Sequence, residues 1–293
     1  MTPPNFELTM MSIRGPVWLP PNSPAAELFP FKPADTPIVA FMAGTVEAGA
    51  DAGRVSRAIP LYLAERIEFS TTATTRSLFP HVVRPSPAFA LMSKRTEDQT
   101  AAGYARQGQE GRAADYIITT HLLRDTAPWT VELRLVRAAD ARCVIETSVP
   151  CGAAGFDKFE TALRAHLASA TNIATAKLPA SYQPPPDASL PAYLTCSEQL
   201  LAIRAATTFK ARHTLHADAE RGILTNQIHL CAELSRSVPA RLLLFQSLAS
   251  LNEIRPAIVR EFKERVNTLQ KETPLPTPAQ QTLLNKLFGS LFP

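Results

Sequence analysis

The chain has 293 residues, about twice a usual domain, which predicts two domains or one with a large extension. Hydrophobic residues at 45% with charged residues at 19% suit a chain that buries a core, and exclude an intrinsically disordered one. The net charge of +4 is spread among acidic residues instead of collected into a block, which leans toward an acidic partner and carries no further.

Residues 1–35 hold Pro3, Pro4, Pro16, Pro20, Pro21, Pro24, Pro30 and Pro33, a density hostile to helix interiors and sheet centres. An extended or irregular arm is expected. Because it carries Phe6, Leu8, Trp18, Leu19, Leu28 and Phe29, it should drape across a folded body. PIVAFM at 37–42 is short, apolar and β-branched, a buried strand, and AGTVEAGADAG after it reads as a flexible turn. From Val55 the positions Ile59, Tyr62, Leu63 and Ile67 keep helical spacing; Pro60 among them predicts a helix start or a kink. IEFSTTATT at 67–75 alternates and predicts a second strand, followed by a loop around LFPHVVRPSP. Residues 97–113 favour helix but contain three glycines, so a short helix is expected.

Residues 115–149 give the clearest pattern: DYIITTHLL, a RDTAP break, WTVELRLVR, an AADAR break and CVIETSV. Trp129, Val131, Leu133 and Leu135 fall on one side while Thr130, Glu132 and Arg134 fall on the other. This predicts a three-strand antiparallel meander with turns at Asp125–Pro128 and around Asp140. GFDKFETALRAHLASA places Phe156, Phe159, Leu163 and Leu167 on one helical stripe. Pro184, Pro185 and Pro186 then form a stiff spacer, and beyond it only helical stripes follow, with Pro239 and Pro256 at first-turn positions.

The expected organisation is a proline-rich arm (1–35), an α/β (α+β) domain with a mixed sheet ending in the meander (36–176), a proline linker (177–189) and an all-α domain (190–293). No tetratricopeptide period supports the helical part.

The order strand, helix, strand, helix, meander, closing helix resembles the amino-terminal domain of TolB, a module related to curli-secretion and flagellar lipoprotein domains. The words that carry the likeness are TPIVAFMAG at 36–44, AIPLYLAERIEFSTTATT at 58–75, AADYIITTHLLRD at 113–125 and VELRLVRAADARCVIETSV at 131–149. Asp115, Tyr116 and the run Val131–Val136 look like the family's acidic residue and paired strands. The family's glycine in the final turn is absent here, Pro60 and Pro128 are additions, and no propeller repeats follow. The resemblance implies a fold and a protein-interaction or regulatory role, not TolB's own.

No P-loop, G-x-G-x-x-G or G-x-S-x-G is present, so no catalytic residue and no cofactor are expected. Cys143, Cys151, Cys196 and Cys231 lie too far apart for a zinc knuckle or CxxC, and read as free thiols. HTLHADAE offers His213, His216, Asp218 and Glu220, with His229 beyond. Two histidines three apart with a carboxylate could take a metal, but a solvated loop with Asp218 supporting a helix start is the better reading. His121 in the meander reads as structural. Arg124, Arg134, Arg137 and Arg142 could form a basic stripe, yet no aromatics interleave, and solubility explains them.

The expectation is a non-catalytic interaction or regulatory module of a bacterial cytoplasmic assembly. Its partner is a protein bound through apolar anchors such as Phe262 or Phe288, with nucleic acid disfavoured, no membrane span and self-association left open. The alternatives are a weak nucleic-acid binder, or an enzyme whose site, with His121, His166 or His213 as base, assembles at the domain junction.

Overall fold

The computed structural model describes residues 7–30, 32–33, 35–46, 50–84, 87–107, 112–123, 129–171, 173–210 and 217–293. The protein is mixed α/β and divides into two compact units, one of residues 1–16 with 31–178 and the other of residues 17–30 with 179–293.

The first unit holds an eight-stranded sheet. Its strands are β1 (Glu7–Arg14), β2 (Ile38–Met42), β3 (Thr45–Val46), β4 (Thr74–Arg84), β5 (Ala88–Phe89), β6 (Tyr116–Leu122), β7 (Thr130–Arg137) and β8 (Arg142–Pro150). The order is β1-β4-β2-β6-β7-β8, with β3 on β6 and β5 on β4. β2 runs parallel to both β4 and β6, and β6, β7 and β8 form the antiparallel meander. Three helices belong here: α1 (Ala50–Ser70), α2 (Asp98–Arg106) and α3 (Ala153–Ala170). The chain leaves β2 through α1 to β4 and then returns from β4 through α2 across β2 to β6, and right-handed crossovers of opposite sense put those helices on opposite faces. Ala101, Ala102 and Ala105 of α2 bury against Ile38, Ala40, Met42, Ile117 and Val136, one alternate set of strand positions. On the other side Tyr62 of α1 meets Phe156 of α3 with ring centroids 5.8 Å apart.

Two local expectations are corrected. Residues 67–70 are the last turn of α1 and not a strand, because Ile59, Leu63 and Ile67 extend the four-residue spacing and Thr71 closes the helix on the Ile67 carbonyl. LFPHVVRPSP is not a loop at its start; its residues through Arg84 belong to β4. Pro80 is tolerated there because β2 stops pairing at Leu78, so no β2 carbonyl awaits its missing N–H. The proline-rich arm likewise contains a strand. Residues 5–15 lack proline, and β1 pairs along β4 at the sheet edge. Lys32 then binds the end of α1, donating to the Glu68 and Ala73 carbonyls and pairing with Glu68 Oε1 at 3.2 Å. Burial lowers its pKa, and Glu68 opposes that shift.

The β7–β8 turn holds Ala141 at φ 55, the left-handed region that favours glycine. Asp140 fixes this turn by gripping Arg137 at 2.9 and 3.0 Å and accepting from the Arg142 N–H. Ala141→Gly is expected to raise the stability of this unit by about 0.5–1 kcal/mol, read by slower hydrogen exchange in β7 and β8.

The second unit is helical: α4 (Leu190–Thr208), α5 (Ala217–Glu233), α6 (Val238–Ile254), α7 (Pro256–Glu261), α8 (Lys263–Glu272) and α9 (Pro278–Leu291). Prolines at the first turns of α4, α6, α7 and α9 cost no helical hydrogen bond, and Thr277 with Gln280 caps α9 reciprocally. Polar contacts thread this core. Gln227 donates to Ser247 Oγ at 2.7 Å, and the fully enclosed Arg241 donates to the Thr273 carbonyl at 2.7 Å at the carboxyl end of α8.

Candidate functional site

Open α/β sheets bind ligands beyond the carboxyl ends of parallel strands where the connections reverse sense, and here that place is the end of β2 and β6. A buried polar cluster stands there. Thr45 and His121 are register partners on β3 and β6, and Thr45 Oγ1 lies 2.7 Å from His121 Nδ1. Glu132 faces His121 across β6–β7. Thr45, His121 and Glu132 are 2%, 5% and 6% exposed, so the three are sealed from solvent. Arg95 reaches Glu132 Oε2 at 2.5 Å from the half-exposed segment ahead of α2. Two residues along β7, Arg134 donates to Asp98 Oδ2 at 3.0 Å and lies 3.6 Å from Glu146.

Hydroxyl, imidazole and carboxylate in one cluster is a set used for nucleophilic catalysis, provided a substrate can meet the hydroxyl. The crevice lined by Thr45, Thr96, Thr119, His121, Glu132 and Arg134 encloses about 10 Å³, about one water. As it stands, this cluster ties β3, β6, β7 and the α2 approach together and has no room for a metabolite. A roomier depression lies on the helical unit, about 220 Å³ between Gln183–Pro186 and Glu233–Ser237. Pro185 is buried in its wall while Pro186 and Arg236 are exposed, and Ser189 donates to Glu233 beside it.

The residues singled out in the sequence scatter. His213, His216 and Arg124 lie outside the described residues. Asp218 is in the first turn of α5, Glu220 is fully buried and pairs with Arg255 at 3.3 Å, and His229 is exposed on the same helix. Among the described residues no group of three or more His, Cys, Asp or Glu is placed to hold a metal ion. His166 is half-buried on α3. Arg134 and Arg137 are each matched to carboxylates, and Arg142 is exposed. The four cysteines are free thiols; burial pushes Cys196 and Cys231 up to about 12 and Cys151 to about 11. Phe262 is no surface anchor: it is 3% exposed, with the Arg265 guanidinium over its ring. Phe288 is half-buried against Phe292.

Thr45, Arg95 and Asp98 were invisible to sequence reasoning, since the β3–β6 register brings Thr45 to His121 and the packing of α2 and its approach brings Asp98 to Arg134 and Arg95 to Glu132. Beside His121, the sign available was Glu132, an acid within a strand whose neighbours are apolar. Among the described residues no helix is long and apolar enough to cross a membrane. No family model, curated protein or solved structure matches the chain.

Proposed function

We propose that the chain is a non-catalytic protein-interaction or regulatory module of a bacterial cytoplasmic assembly, its sheet unit being of the TolB amino-terminal type. The element order β2, α1, β4, α2, β6, β7, β8, α3 supports the likeness. The observation that carries the role is the contrast between the two concavities: the polar one is closed down to about a water, while the open one is a surface depression rimmed by three consecutive prolines and Leu234. A rigid proline wall presents contact area at low entropic cost, as interaction surfaces require. The carboxylate-matched Arg134 and Arg137 argue against a nucleic-acid stripe.

One contact favours a second reading, an enzyme with His121 as base: the Thr45 hydroxyl 2.7 Å from its ring. Affinity capture with the full chain separates the two. The expected result is a stoichiometric protein partner whose recovery falls about tenfold with Leu234→Arg. Turnover of a compound from a metabolite panel that vanishes in His121→Gln would transfer the assignment to the enzyme.

A further inference from the structure

Glu132 is a buried carboxylate with only half its capacity used: Oε2 meets Arg95, while Oε1 has no hydrogen-bond partner among the described residues. Leaving an ionised oxygen enclosed and unpaired is costly, and native proteins rarely do so. Arg134 projects from the same strand two positions on, which puts it on the same face. Its Nε is also buried and makes no hydrogen bond, its ion pair with Glu146 spanning 3.6 Å. Both residues line the crevice beyond β6, together with Thr96 and Thr119.

An unused acceptor and a donor engaged only in a long ion pair around one small space restrict what can fill it. A metal cation or ammonium cannot accept from the Arg134 N–H, and an anion would be repelled by Glu132. Water does both, and a space of about 10 Å³ is the room one water needs. We infer that this crevice is a binding site for one resident water, donating to Glu132 Oε1 and accepting from Arg134 Nε, with Thr96 and Thr119 supplying hydroxyls. The water completes the polar cluster and lets the strand keep an acid where its neighbours are apolar. This inference does not depend on whether the chain is an interaction module.

Atomic-resolution crystals of the full chain, soaked separately in rubidium and bromide, test it. One density peak within about 3 Å of both Glu132 Oε1 and Arg134 Nε, without anomalous signal from either ion, is expected. An empty crevice, direct contact between the two side chains, or rubidium or bromide in the peak overturns it. In solution, oxygen-17 relaxation dispersion should count one fewer long-lived water in Thr119→Leu, which fills the space with methyl groups. An unchanged count in a folded Thr119→Leu chain also overturns it.

Discussion

Replacing Trp18 by alanine is expected to destabilise the helical unit by about 3–5 kcal/mol, the cost of emptying a fully buried aromatic site. Trp18 is 0% exposed, its ring lies 5.5 Å from that of Phe29, and its indole N–H donates to the Tyr193 hydroxyl at 2.9 Å on α4. The preceding residue is held as well, with Val17 buried and its carbonyl accepting from Arg204 at 3.0 Å. Burial depresses the pKa of that arginine, which marks the contact as desolvated. The segment around Trp18 thus acts as a part of the helical core supplied from far away in sequence. Because the chain has two compact units, a single unfolding free energy is ill defined, and the effect should be read locally. Hydrogen exchange of the α4 amides should accelerate by two or more powers of ten, about the equivalent of that free energy. Tyr193→Phe, which removes only the hydroxyl, should cost about 1 kcal/mol. If Trp18→Ala leaves α4 exchange unchanged, the arm is not part of that core.

Much of the fold was legible because its signals are local. Alternation in 115–149 marks the meander and a one-sided stripe marks α3, each set by its own residues. The sheet's first half was harder to read. Pro80 and the prolines after Arg84 gave β4 the composition of a loop, yet a strand tolerates proline where its neighbour has ceased to pair. β1 was concealed by prolines on either side of it. The polar cluster was illegible for a different reason: Thr45 and His121 stand 76 positions apart, and only the pairing of β3 with β6 makes them neighbours. His121 was visible as a lone strand histidine, but its partner hydroxyl was one of many threonines. The same limit misplaced Phe262, whose helical spacing identifies a face without showing whether another helix covers it.

Gly44 is the second position where a small change should have a large effect, and its cause begins sixteen residues away at Pro60. Pro60 lies inside α1 and has no N–H to offer the Ser56 carbonyl one turn earlier, so that oxygen needs a donor from outside the helix. Gly44 supplies it, its N–H reaching Ser56 O at 2.8 Å as the chain passes from β2 to β3. Such an approach leaves no room for a side chain. A Cβ on Gly44 would sit 2.7 Å from Thr120 Oγ1, 3.0 Å from Ser56 O and 3.2 Å from Ser56 Cβ. Gly44→Ala is therefore expected to cost about 2–5 kcal/mol, combining overpacking with displacement of the backbone N–H from a buried carbonyl. Urea unfolding followed by exchange of the β2 and β6 amides measures it. In a Pro60→Ala background the helix provides its own N–H to Ser56, so the cost of Gly44→Ala should shrink by about 1–2 kcal/mol. Equal costs in the two backgrounds would mean that the clash with Thr120 accounts for the whole effect and that Pro60 and Gly44 are not energetically coupled.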